Sequence, residues 1–278
     1  MSLRVVEIVT TLGVGGAEMH LLALTTALVR RGHRPEIVYL KGEGELAKAF
    51  ADAGVPSRKI PMESAKQAPG AIAAIARHLR DARPDIVHTH LLKADAVGAI
   101  AAWRAGLASR LVSSKHNDER ALLHPVVSRV HGWISRLDRR VIVLSDHVGR
   151  FVEEHGRVPR SKIRRIYYGV DPRTFASASG PGVRQELGIG EGEFVWICVA
   201  RFAPQKAHDV LLAAFARALT DEPRQRLLLV GDDPFGDHRA KAEVKARELA
   251  LGDRVRFLGI RRDVPRLLAA SDAFVMSS

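Results

Sequence analysis

Short β-branched runs alternate along this chain with longer stretches rich in alanine and leucine. Val5 to Val9, Glu36 to Leu40, Ile86 to His88, Leu111 to Ser114, Val141 to Leu144 and Ile163 to Tyr167 predict strands, and Ala17 to Arg31, Glu45 to Ala53 and Ala68 to Asp81 predict helices. The pattern then restarts. Strands at Phe194 to Val199, Leu227 to Val230, Val255 to Leu258 and Ala273 to Met276 alternate with helices at His208 to Leu219, Lys241 to Leu251 and Val264 to Ala270. Such alternation implies an α/β fold of parallel sheets with right-handed crossovers. Between the two series runs a stretch rich in Gly, Pro and Ser, with only a short helical segment near Gln185. It predicts a first domain at 1–171, a linker at 172–193 and a second domain at 194–278. The last strand runs straight into Ser277 and Ser278 with no covering helix, so a longer protein is expected.

In open parallel sheets, ligands gather beyond the carboxyl ends of the strands. After the first strand, Gly13-Val14-Gly15-Gly16-Ala17-Glu18 opens a helix, and Gly15 and Gly16 allow backbone N–H groups to approach a ligand. Glu18 stands where a dinucleotide fingerprint needs its third glycine, and the second strand ends in Leu40-Lys41 rather than an acid, which disfavours NAD. There is no Gly-rich phosphate loop ending in Lys-Ser or Lys-Thr, and no G-x-S-x-G; Cys198 lies inside an apolar strand as core. His88 and His90 alternate onto one face, and His116-Asn117 follow the Leu111 strand, so three histidines are expected at one rim. Their chemistry is left open between a general acid or base, a structural histidine, and a metal ligand with His116 as the third donor; no metal is expected. In the second half, Arg201 and Lys206 follow the first strand at a strand-to-helix turn, a cation pair suited to a diphosphate. Gly231 and Gly259 end the next two strands.

Charge adds a second expectation. The chain of 278 residues has 43 Lys+Arg against 31 Asp+Glu, a net +12, and residues 103–165 hold 14 basic and 6 acidic residues, 14 − 6 = +8 of that excess. Within them, 124–140 predicts a basic amphipathic helix whose valines face either the core or a lipid surface, with Arg129, Trp133, Arg136 and Arg140 as the membrane contact. No recognition helix, zinc-finger spacing or aromatic stacking pattern accompanies the charge, which argues against nucleic acid. Arg4 and Glu7 interrupt the apolar start, so no leader peptide is expected, and no run is long enough to span a bilayer. The single cysteine suits a reducing compartment, so a cytoplasmic protein is expected, peripheral to the inner face of the membrane.

Gly-Gly-Ala-Glu, Val-His-Thr-His, Tyr-Gly-Val-Asp at the seam, Ala-Arg-x4-Lys and Val-Arg-Phe-Leu-Gly run in one order over almost the whole chain. Together they resemble the retaining glycosyltransferases of family 4. The resemblance implies two Rossmann-like domains facing across a cleft (the GT-B fold), the second incomplete here, and a role in polysaccharide or lipopolysaccharide biosynthesis. The first domain would bind a glycan, lipid-linked or small-molecule acceptor, and the second a UDP- or GDP-sugar. Arg201 and Lys206 would hold the donor diphosphate and Gly15 and Gly16 would approach its phosphate and sugar. His90 would contact the transferred sugar, Gly231 and Gly259 would line the nucleotide site, and Glu18, His116 and Asn117 would add substrate contacts. No cofactor is implied, and none of the 16 aspartates forms the Asp-x-Asp pair that holds a metal in the other glycosyltransferase fold. The sequence departs from the family at Tyr168, where Asn is usual, and at Ala207, where Gly is usual. The family's Glu-x7-Glu motif would begin a few residues beyond Ser278. Two alternatives stand beside the transferase: a non-catalytic nucleotide- or partner-binding fragment, and a sugar-nucleotide epimerase using Asp95 and Glu119.

Overall fold

The computed structural model describes residues 1–278 apart from Asp171, the last residue of the seam motif, and Phe235. The chain forms two compact units, Met1–Gly169 and Val170–Ser278.

In the first unit seven strands form one parallel sheet: β1 (Arg4–Thr11), β2 (Arg34–Lys41), β3 (Ser57–Lys59), β4 (Ile86–His90), β5 (Leu111–Lys115), β6 (Arg140–Val143) and β7 (Ile163–Arg165). Their order is β3-β2-β1-β4-β5-β6-β7, so the winding reverses between β1 and β4. The helices are α1 (Gly16–Arg30), α2 (Ala47–Asp52), α3 (Ala68–Ala82), α4 (Leu92–Arg104), α5 (Pro125–Ile134) and α6 (Asp146–Glu154). Local chemistry sets their ends. Gly15 starts α1 in an extended conformation, a proline sits in the first turn of both α3 and α5, and the Ser145 hydroxyl accepts from the Val148 N–H at the start of α6. β1 is buried on both faces except at its ends, as a central parallel strand must be. Helix α4 lies close to the sheet because it is built of small residues; a Cβ on Gly98 would come within 2.6 Å of Thr89.

The second unit holds α7 (Arg173–Ala176), α8 (Pro181–Glu186), β8 (Phe194–Val199), α9 (His208–Asp221), β9 (Gln225–Val230), α10 (His238–Glu248), β10 (Val255–Gly259), α11 (Val264–Ala269) and β11 (Ala273–Phe274). Its four strands are parallel in the order β10-β9-β8-β11, reversing between β8 and β11. The 172–193 stretch, expected as a linker, belongs to this unit. Val183 and Leu187 are buried in one core cluster with Val195, Ile197 and Leu267, and Gly180 packs against the Ala269 carbonyl so closely that a Cβ would lie 2.2 Å from it. Composition marked the seam, but burial of these apolar residues makes its second part structural. Both units are Rossmann-like.

Candidate functional site

The switch point of the first sheet carries a buried polar cluster. Glu7 lies opposite His88 in the β1–β4 register, and His90 opposite Ser114 in β4–β5, so all four share one face. Glu7 and His90 are each 1% exposed. Glu7 Oε2 lies 2.7 Å from His90 Nε2 and 3.0 Å from His88 Nδ1; His88 Nε2 lies 2.7 Å from Ser114 Oγ. His90 Nδ1 lies 3.0 Å from His116 Nε2, whose ring bonds in turn to the Tyr168 hydroxyl through Nδ1. Tyr168 stacks on His20 of α1, ring centres 3.6 Å apart and planes within 10°. The three histidines expected at one rim are thus brought together, although His88 and His90 lie beneath it and His116 at its edge.

The charges follow from this packing. Burial opposes ionisation of Glu7, but the charge and hydrogen bonds of His88 and His90 outweigh it and hold the carboxyl well below the usual range. Burial, then the charge of His88, lowers His90 to about 4 despite Glu7, and burial, then His90, lowers His116 to about 2. Both rings are neutral at pH 7. Burial, then the Glu18 charge, raises the Tyr168 phenol. Glu7, His88 and His90 place one ligand atom each within 4.8 Å of one another, the one such grouping among the described residues. The third donor for the two histidines is therefore Glu7, not His116.

Glu18 folds back over the glycine turn. Its Oε1 accepts from Thr11 Oγ1 at 2.8 Å, and a Cβ on Gly15 would lie 2.5 Å from its Oε2, while Gly16 has open space. Asn117 is exposed beyond His116. Leu91, directly after His90, takes φ +67°, an unfavourable conformation for a large side chain, where the chain turns from β4 into α4.

The opposite face of the sheet holds a separate buried network. Thr89 and Lys115 alternate with the histidines and meet Asp95 of α4. Asp95 Oδ1 accepts from Thr89 Oγ1 at 2.7 Å, and its Oδ2 pairs with Lys115 Nζ. Burial would raise Asp95, but the Lys115 charge keeps it low. Asp138, bonded to Ser113 Oγ at 3.0 Å, is pushed up to about 7 by burial and by the Asp95 charge. Asp95 is thus spent on Lys115, away from His90, and does not supply the carboxylate an epimerase would need.

In the second unit, Arg201 and Lys206 follow β8 at that sheet's switch point, with Arg201 exposed. The end of the chain lies against this turn: Ser277 Oγ donates to the Lys206 and Ala207 carbonyls at 2.8 and 2.9 Å, and Lys206 Nζ reaches Ser278 Oγ at 3.4 Å. Ala207 has φ +45°, the left-handed region that glycine enters without strain. Gly231 bonds to the Gly259 carbonyl at 2.9 Å, and Gly259 itself has φ +65°.

The expected membrane helix is shorter and turned differently. It ends at Ile134; Arg136 lies beyond it with its guanidinium on the Gly132 carbonyl, and Arg140 opens β6. The buried face is Ser128, His131, Gly132 and Ile134, because Ser128 Oγ donates to the His155 carbonyl, His131 Nδ1 bonds the Gly156 carbonyl, and Gly132 admits Arg157. Val126 and Val130, at 58% and 52% exposure, therefore face outward beside Trp133 and Arg129. Only Arg129 and Trp133 of the four expected contacts lie on this face. Among the described residues, no helix is long and apolar enough to cross a membrane.

Sequence reasoning missed Glu7, Lys115, Asp138 and His20. The available signal was a charge inside a predicted strand: Glu7 in the first, and Lys115 at the end of the Leu111 run.

Comparison with known proteins follows the same division. The profile for Glycosyltransferase Family 4 matches residues 14–174, and that for Glycosyl transferases group 1 matches 182–278. Spore coat protein SA of Bacillus subtilis is 26% identical over 286 residues, covering 95% of this chain and 70% of that protein. The UDP-Gal:alpha-D-GlcNAc-diphosphoundecaprenol alpha-1,3-galactosyltransferase of Escherichia coli is 30% identical over 211 residues, 72% of this chain; the chain spans about half of that relative, 53% of its length. The crystal structure of Anabaena HepE in complex with UDP and glucose superposes with a TM-score of 0.85 at 24% identity, over 99% of this chain and 74% of that one, a match of fold. The first unit of this protein is a family 4 domain and the second a group 1 domain, and the chain belongs to the family 4 glycosyltransferases.

Proposed function

We propose that the protein transfers a hexose-type sugar from a UDP- or GDP-activated donor to an acceptor, with retention of anomeric configuration. The observation that carries this reading is the placement of Arg201 and Lys206 at the carboxyl end of β8, at the switch point of the second sheet. Breaking the sugar–oxygen bond builds negative charge on the leaving diphosphate, and fixed cations offset it without a metal. UDP is the favoured nucleotide, since the E. coli relative is named for UDP-Gal and HepE was crystallised with UDP. Arg201→Ala is expected to weaken UDP binding by about 10- to 100-fold, the loss of one charge-assisted phosphate contact worth ~1.5–3 kcal/mol. Calorimetric titration of wild type and variant with UDP and GDP tests this, and equal affinities would remove Arg201 from the site. Transfer is expected to persist in chelator; strict dependence on Mn²⁺ or Mg²⁺ would count against the mechanism.

For the acceptor, the reading is an anionic, lipid-linked molecule met at an anionic membrane surface. Its support is the outward face of α5, where Val126, Val130 and Trp133 stand exposed beside Arg129 within the most basic part of the chain. Co-sedimentation with anionic vesicles is expected at low salt, fading as salt rises and absent with neutral lipid. Trp133→Ala and Arg129→Ala should each reduce it. Protein that stays in the supernatant with anionic vesicles at low salt would leave a soluble acceptor instead.

A further inference from the structure

The hydrogen bonds around His90 form a single chain with an acceptor at one end. Glu7, His90, His116 and Tyr168 follow one another through hydrogen bonds of 2.7 and 3.0 Å and the His116–Tyr168 bond. An ionised carboxylate only accepts, so the His90 Nε2 that faces Glu7 Oε2 must carry hydrogen. Two imidazole nitrogens sharing one hydrogen bond cannot both be protonated, and His90 already directs its proton from Nε2 to Glu7. Its Nδ1 is therefore bare and accepts from His116 Nε2. His116 Nδ1 is then bare in turn and accepts the Tyr168 hydroxyl. On the other side of the carboxylate, His88 Nδ1 stands 3.0 Å from the same Glu7 oxygen and its Nε2 2.7 Å from Ser114 Oγ.

We propose that Glu7 is the positioning residue of this site: it sets the tautomers of His90 and His116 and commits the Tyr168 proton inward, so that the Tyr168 oxygen is offered at the rim as an acceptor for a ligand hydroxyl. Tyr168 is 37% exposed, and its ring is held against His20, so the oxygen has a fixed place. The ligand class this selects is a polyhydroxyl compound presenting an O–H donor. The residue sits where the family usually has Asn, whose amide offers both a donor and an acceptor; a phenol with its proton already used offers only the acceptor. Glu7, His88 and His90 together have the atoms for a cation, but hydrogen bonds already occupy both nitrogens of His90.

The proposal rests on the transferase reading only for what His90 touches; the tautomers are measured without donor, so the two fail separately. The experiment is long-range proton–nitrogen correlation on histidine-labelled protein near pH 7 after chelator treatment, with His88, His90 and His116 assigned by single substitutions. The expected result is hydrogen on Nε2 of His90 and His116, with Nδ1 of both rings bare. Glu7→Gln, which keeps the shape, should turn the single tautomer of His90 into an exchanging mixture while the thermal transition remains cooperative. Tyr168→Phe should leave His90 and His116 unchanged, because polarity runs outward from Glu7. Hydrogen on Nδ1 of His90, wild-type tautomers in Glu7→Gln, or a switch at His90 in Tyr168→Phe would each overturn the assignment. So would stoichiometric added Zn²⁺ displacing the His90 ring proton that faces Glu7, which would give Glu7, His88 and His90 to a cation.

Discussion

Lys115→Met is expected to lower folding stability by about 3–5 kcal/mol at pH 8, the usual cost of leaving a buried charge without its partner. Asp95 is 2% exposed and Lys115 8%, so water does not replace the lost ammonium. In the native chain the Lys115 charge keeps Asp95 below its ordinary value of 3.8. The pair therefore stabilises the fold above that pH, and the contribution is lost as pH falls below it. Without Lys115, burial dominates and the folded value of Asp95 rises above the unfolded one. The sign reverses: the variant is most stable where Asp95 is protonated and loses stability as pH rises. The penalty should thus be largest at pH 8 and shrink steadily towards pH 4, and Asp95→Asn/Lys115→Met should recover part of it. Denaturant titrations of the three proteins across that range are the check. A penalty independent of pH would mean that packing, not charge, is lost at Lys115.

Gly231→Ala carries the second large effect, and it reaches the turn that carries Arg201. A Cβ at Gly231 would stand 2.0 Å from the Ala200 carbonyl oxygen and 3.1 Å from the Arg201 N–H nitrogen, backbone atoms that cannot rotate aside. The ends of β8 and β9 must separate to admit it. Overpacking of this kind costs about 1–3 kcal/mol and more where backbone must move. The same displacement moves Arg201, so a fall in thermal midpoint should come with weaker UDP binding. Wild-type affinity in a destabilised Gly231→Ala protein would separate Gly231 from the nucleotide site. Gly231 thus acts by allowing two strand ends to approach, whatever its own contact with a ligand.

Much of this was legible in the chain itself. Periodicity located the central strands and the restart of the pattern, because strands buried on both faces must be continuous apolar runs and helices must repeat every three or four residues. Position at strand ends picked out Gly15, His90, Arg201 and Lys206, while Ala207 stood out only through the family resemblance, and its left-handed backbone is the conformation glycine enters without strain. Other features were hidden for physical causes. Helix α4 is so rich in alanine, and so buried, that no polar face marks it. Residues 172–193 have the composition of a linker, yet the few apolar residues among them complete a core assembled from strands far along the sequence. Val126 and Val130 face outward because Ser128, His131 and Gly132 find carbonyls and a close packing partner in the 155–157 loop, which no helical pattern reveals. Glu7 and Lys115 read as stray charges within strands. Register places Glu7 opposite His88, and on the other face the packing of α4 brings Asp95 to Lys115. The chain by itself determined which elements form and which residues stand at their ends; pairing across strands distant in sequence decided which charges are buried together, and through them the polarity of the site.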